Sequence, residues 1–353
     1  MTRQRLHLAA AMAMALAAGL VAPQLEAQSS DAAPLFASEE PLALTLEVPL
    51  RTLVNRRRQR PEVDGFVRYM SDDGTEVALD VEVRTRGKSR LELCSFPPLS
   101  LNFRRRQVEN TPFAGQNRLK LVTLCRTNSN FDQYLELEHF VYRAYQTLSE
   151  HAFRVRRVRM RYVDTDRDNR EVEAPAFFIE HIEGLAARTG MTAAELPAIE
   201  PNAHAPGVLA MLGLFQFMIG NTDWSAISAA EGEDCCHNSD VLQPADSTMG
   251  LVVVPYDFDQ AGLINAPYAE PNEQLGLRSV RQRLYRGLCA SNSELDATIA
   301  KFNAARPIIE ALLASAELDA ERRDEALEYL ASGYAIINDP DQRQTDIIDR
   351  CRG

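Results

Sequence analysis

From Leu42 to Val48, Gly65 to Tyr69, Val77 to Arg84 and Leu99 to Phe103, the chain alternates apolar with polar residues or runs through β-branched ones. A period of two marks half-buried strands, and Asp73-Gly74 between the second and third predicts a hairpin turn. Arg118 to Leu124 continues the strand pattern. The period then changes: Tyr134, Leu137, Val141, Ala144 and Leu148 recur at spacings of three and four, which predicts an amphipathic helix over Phe131 to Ser149. Strand patterns return at Val158 to Val163 and Ala176 to Ile179. From about Ala205 the chain reads as mainly helical, with an apolar helix at Val208 to Ile219. The expected architecture is α+β, with a β-rich part carrying one long helix over 41–182 and an α-rich part over 183–353. Residues 28–40 show no period and predict a loose N-terminal segment.

Composition narrows the classes. A chain of 353 residues with 45% hydrophobic and 25% charged content can bury a real core, which excludes a disordered or fibrous protein. The formal charge of −12 argues against nucleic acid or an anionic membrane as partner, since both are held by excess cations. Residues 1–27 combine Arg3 and Arg5 with an apolar run from Leu8 to Ala22 and Leu25-Glu26-Ala27, the pattern of a cleaved signal peptide. A periplasmic or secreted product is therefore expected, with no membrane-spanning segment in the mature chain. In such a compartment six cysteines predict disulfides, and their placement favours Cys94 with Cys125 and Cys289 with Cys351. Cys235 and Cys236 are adjacent and are expected not to pair with each other, leaving them reduced, metal-bound or paired elsewhere. The acidic loop Asp164 to Asn169 lacks the glycine and the bidentate glutamate of a calcium loop, so a solvated hairpin tip is expected there.

Candidate chemistry lies between residues 215 and 265. The apolar helix ends at Gly220 and releases Asn221-Thr222-Asp223-Trp224; His237-Asn238 follows an insert; and the apolar run Leu251 to Tyr256 leads straight into Asp257-Phe258-Asp259. Acids at the end of a buried strand need a cation or a proton to offset their desolvation. A loop Asp, an Asn beyond it and an Asp after a strand are the parts that hold Mg²⁺ and phosphates in phosphoryl transfer.

Five short motifs stand in a fixed order: Arg84-Thr85-Arg86-Gly87-Lys88-Ser89-Arg90, Arg118-Leu119-Lys120-Leu121, Phe177-Phe178-Ile179-Glu180, Gly220-Asn221-Thr222-Asp223 and Tyr256-Asp257-Phe258-Asp259. In this order they resemble the CotH-type atypical kinases, a family named for a spore-coat protein. The resemblance implies a two-lobed protein-kinase-like fold, with a β-rich N-lobe and a mainly helical C-lobe. It implies transfer of the γ-phosphoryl of ATP, with Mg²⁺ or Mn²⁺, to a Ser or Thr hydroxyl of an exported protein. It makes Asp223 the catalytic Asp, and Asn238 with Asp257 or Asp259 the metal ligands. Lys120 becomes the candidate phosphate contact with Glu136 or Glu138 as its helix partner, and Ile179, Glu180 and His181 the segment beside the adenine.

Other readings stay open beside it. Lys120 fits the polar face of a strand, Glu136, Glu138 and His139 the solvated side of a helix, and Glu180 and His181 a turn after a strand. Arg86 and Arg90 suit either a phosphate, an acidic partner or an exposed strand edge. At the level of function the alternatives are an inactive binding or scaffold protein of the envelope, and a metal-assisted hydrolase using Asp223, Asp257 and His237.

Overall fold

The computed structural model describes residues 33–353 apart from residue 128. The expected signal peptide over 1–27 lies outside the described residues. Seven strands form a closed barrel: β1 (Leu42–Val48), β2 (Val63–Met70), β3 (Glu76–Thr85), β4 (Leu99–Phe103), β5 (Arg118–Val122), β6 (Val155–Asp164) and β7 (Arg170–Ile179), in the spatial order β1-β2-β3-β4-β5-β7-β6. Six of the seven pairings are antiparallel; the seventh, β1 with β6, is parallel and runs in register from Leu42 opposite Val158 to Val48 opposite Asp164. That pairing joins the two edges of the sheet, and it overturns the expected two-lobed kinase-like fold. Alternating positions of every strand point inward, and Leu44, Leu46, Val67, Val81, Leu101, Leu119, Met160 and Phe178 fill the interior as a core of their own.

Pattern and structure agree on the seven barrel strands and on the long helix, but the strands Met191–Ala194 and Ser239–Pro244 were not expected. β1 and β4 have the expected bounds; Asp73-Gly74 turns between β2 and β3 with Gly74 at φ +81°; and the Asp164-to-Asn169 loop is the tip of the β6–β7 hairpin. Leu35 and Phe36, placed by sequence in a loose segment, are buried against the barrel core, so part of 28–40 is pinned.

Short helices α1 (Leu50–Asn55) and α2 (Ser89–Leu93) sit in the barrel connections, and α3 (Ser129–Leu148) lies on the outside of the barrel. Residues 182–353 add α4 (Ile182–Thr189), a three-stranded antiparallel sheet and the remaining helices. The sheet is β8 (Met191–Ala194), β9 (Ser239–Pro244) and β10 (Val252–Pro255), in the order β10-β9-β8. The helices are α5 (Pro206–Ile219), α6 (Leu295–Ser315), α7 (Ala320–Asn338) and α8 (Pro340–Asp346). A second core, distinct from the barrel interior, joins α3 to α5, α6 and α7 through Tyr142, Phe177, Phe215, Phe258 and Phe302. The described residues thus form one compact unit.

All six cysteines are paired. Cys94–Cys125 and Cys289–Cys351 follow the expected pairing, whereas Cys235 and Cys236 bond to each other, contrary to expectation. The expectation rested on the strain of a ring between adjacent residues; the peptide bond between them is cis and their Cα atoms lie 2.9 Å apart.

His139 of α3 shows what burial does to a titratable group. Its ring packs 5.6 Å from that of Phe177, and desolvation, helped by the Arg157 and Arg143 charges, pushes its pKa down to about 3. The folded state therefore refuses a proton that the unfolded chain takes up below about pH 6.5. Stability should fall on acidification, by about 2 kcal/mol from this residue alone between roughly pH 7 and pH 5. Denaturant unfolding at the two pH values, compared with His139→Gln, checks this; equal losses in both proteins would contradict it.

Candidate functional site

The site is assembled by the ends of α5, β9 and β10. Helix α5 is apolar on every side and ends where Gly220 turns left-handed at φ +66°. A Cβ there would stand 1.9 Å from the Tyr329 hydroxyl oxygen, so only glycine fits. The buried Asn221 follows, and its Oδ1 accepts the Asp223 N–H at 2.9 Å. Trp224 anchors the other side of the turn, donating its indole N–H to the Asn221 carbonyl at 3.1 Å and packing on Leu209, Leu212 and Val253. Asp223 is therefore held from both flanks while its carboxylate stays 44% exposed.

The ladder of β9 and β10 brings the other groups alongside. Ser239 lies opposite Pro255, and the Tyr256 N–H donates to the Asn238 carbonyl at 3.0 Å, so Asn238 and Asp257 emerge together. Both are left-handed, at φ +52° and +59°, and such strain on non-glycine residues concentrates at functional sites. Asn238 donates its side-chain amide to the Asp223 carboxylate at 2.9 Å and to the Asp223 carbonyl at 2.7 Å. His237 Nε2 lies 2.6 Å from the other Asp223 carboxylate oxygen, and that hydrogen bond raises the His237 pKa above its ordinary value. Asp257 receives little in return: its backbone N–H donates to the Tyr142 hydroxyl at 2.9 Å, and its carboxylate sees only Arg90 at 3.5 Å.

Arg90 is the hub that the sequence concealed. It is 6% exposed, donates from Nε to Asp259 at 2.7 Å and from Nη2 to Glu138 at 2.7 Å, and so ties α3 to the acidic loop. One guanidinium faces three carboxylates, Glu138, Asp257 and Asp259, which leaves excess negative charge. Burial lifts Glu138 to about 7 against the pull of Arg90, and raises Asp259 for the same reason.

The other expected residues fall into three groups. Arg86 belongs to the site: it lines a cavity of about 20 Å³ with Gly87, Lys88, Ser89, Arg90, Glu138, Ile179 and Asp257. Lys120 lies close by, but its partner is neither Glu136 nor Glu138. Its Nζ sits 3.9 Å from Asp240 and 4.5 Å above the Tyr256 ring, and burial lowers its pKa. Glu136 is on the opposite side of α3, paired with Arg157 at 2.7 Å and lining a separate groove of about 650 Å³. Glu180 is buried, accepting from Arg188 at 3.1 Å and from the Arg154 N–H at 3.0 Å, and so fixes the start of α4. His181 caps α4 by accepting the Glu183 N–H at 3.3 Å. Both positions are accounted for by structure at the β7–α4 junction. Asp259, expected as a metal ligand, is committed to Arg90. Glu136 and Glu138, read also as a solvated helix face, are 4% and 3% exposed.

Beside Asp223 a second cavity, of about 250 Å³, is lined by Ser89, Leu93, Thr222, Gln260, Tyr268 and Glu270 among others. Among the described residues no helix is long and apolar enough to cross a membrane, and no cluster of three or more His, Cys, Asp or Glu side chains converges as a metal site. Compared with known protein families and with curated proteins, the sequence matches none.

Proposed function

We propose that the chain transfers the γ-phosphoryl group of a magnesium-bound nucleotide, ATP, to a Ser or Thr hydroxyl of a protein in the compartment it shares. The observation that carries this reading is the triple Asp223, His237 and Asn238 beside the exposed Asp257. It is a carboxylate with both oxygens engaged, oriented and still accessible, next to a second carboxylate with spare acceptor capacity. Three disulfides fit an oxidising compartment.

The donors suit a hard divalent cation. Asp257 keeps an oxygen that takes no donor among the described residues, Asn238 keeps its side-chain Oδ1, and the surrounding carboxylates outnumber the cations. Mg²⁺ binds through one or two protein oxygens, with phosphates and water completing its shell, so no three-residue cage is required. When bound, the ion would neutralise phosphate charge and hold the nucleotide. Asp223 does the rest. Each carboxylate oxygen has a second lone pair beyond those given to His237 and Asn238, so it can accept the acceptor's O–H. As the new O–P bond forms and the bond to the β-phosphate oxygen breaks, the hydroxyl proton passes to Asp223 and ADP leaves. His237, hydrogen-bonded to the other oxygen of Asp223, keeps that carboxylate oriented to receive it.

Calorimetric titration tests the reading. Mg-ATP should bind the disulfide-intact protein with measurable heat, ATP in excess chelator should bind much more weakly, and γ-labelled ATP should label hydroxyl residues of a protein acceptor. A protein that binds no nucleotide and transfers no label is not this enzyme.

A further inference from the structure

The 86–89 loop separates the two cavities at the centre of the site, and Ser89 lines both. On one side, about 20 Å³ remains beside Asp257, room for one water and too little for a phosphate group. On the other is the space of about 250 Å³ beside Asp223. The loop is held by the Arg86 N–H on the Pro98 carbonyl at 2.9 Å and Arg60 Nη2 on the Gly87 carbonyl at 2.5 Å, and by an ion pair in which Lys88 Nζ contacts the Glu233 carboxylate on the insert before His237. Both side chains are exposed, at 71% and 39%, and an exposed pair of this kind contributes little and exchanges readily. Gly87 supplies the pivot, left-handed at φ +90°. Arg86 and Lys88 alternate with it, whereas Arg90 is fixed by its carboxylates and cannot move with the loop.

We infer that Lys88 is the residue that grips the donor's terminal phosphates, and that Glu233 latches its loop shut until they arrive. Opening the loop merges the two cavities into one cleft running from Asp257 to Asp223. Lys88 then exchanges a carboxylate for a phosphate, with no net change in its pairing. Lys120, held over Tyr256 by Asp240, stays in the wall of the cleft. This inference rests on the phosphoryl-transfer reading for its ligand, but the latch itself does not.

Two measurements on the disulfide-intact protein separate them: Mg-ATP affinity by calorimetry, and hydrogen exchange of residues 86–89 without nucleotide. Glu233→Gln should speed exchange in that segment and tighten Mg-ATP binding by about 2- to 5-fold, the range that releasing an exposed pair allows, because binding no longer waits on a minor open state. Lys88→Met should also speed exchange but weaken binding by about tenfold or more, as loss of a charged phosphate contact does. The charge-swapped Lys88→Glu/Glu233→Lys should restore slow exchange while binding as weakly as Lys88→Met. Wild-type affinity in Lys88→Met, or unchanged exchange in Glu233→Gln, overturns the inference. If the wild type binds no nucleotide, the phosphate role falls with the proposed function, and faster exchange in Glu233→Gln still establishes the latch.

Discussion

Arg90→Met should lower the free energy of unfolding by about 3 to 5 kcal/mol, because it strips the only close cation from carboxylates that have no route to water. Glu138 and Asp259 are 3% exposed each and both lie 2.7 Å from the guanidinium. Methionine fills much of the volume, so the loss reports charge and not a cavity. The triple change Arg90→Met/Glu138→Gln/Asp259→Asn should recover most of the loss, since no uncompensated charge then remains buried. Denaturant unfolding near neutral pH measures both. A loss below about 1 kcal/mol in Arg90→Met, the range of an exposed pair, would mean that the cluster is solvated and that Arg90 does not tie α3 to the acidic loop.

The two exposed acids should separate cleanly. Asp257→Ala removes a carboxylate proposed to hold the cation, so Mg-dependent nucleotide binding and transfer should vanish together. Asp223→Ala removes the group that receives the acceptor's proton, so nucleotide should still bind while transfer falls by about 10² to 10⁴. Neither side chain fills the apolar core, so both variants should melt close to the wild type. Calorimetry and label transfer on the two proteins decide it: a full loss of binding in Asp223→Ala would merge the two roles into one and contradict the assignment.

Local pattern carried much of this molecule. β1 and β4 were legible to the residue because each alternates strictly, and α3 and α5 because one has a clean stripe and the other is apolar all round. The ring of strands was not legible. Nothing in Leu42 to Val48 says that its second partner is a parallel strand beginning at Val155, since pairing between distant segments leaves no periodicity behind. The same reason divides the site. Asp223 and Asp257 stand out because each follows an apolar element, a local cue, whereas Asn238 follows an insert and was marked only by the order of the motifs. Arg90 does not, because it looks like any arginine in a basic loop, and only the fold brings Glu138 and Asp259 onto it. Lys120 was matched with a glutamate of α3 by the resemblance alone, and the structure gives it Asp240 from β9 instead. Cys235 and Cys236 were expected apart because a ring between adjacent residues is strained, and the structure bonds them to each other.

The parallel joining of β1 to β6 also orders events in time. Hairpin pairings from β1 to β5 can form as soon as each successive strand exists, since their partners are near neighbours along the chain. Joining the ends has to wait for β6 and β7, and it carries the entropy cost of a long loop before its contacts reward it. Until then β1 and β5 present bare backbone donors and acceptors that another chain could use. A newly made chain is therefore most vulnerable to aggregation in the interval between the fifth strand and the seventh, and a chaperone that shields strand edges would act most usefully there.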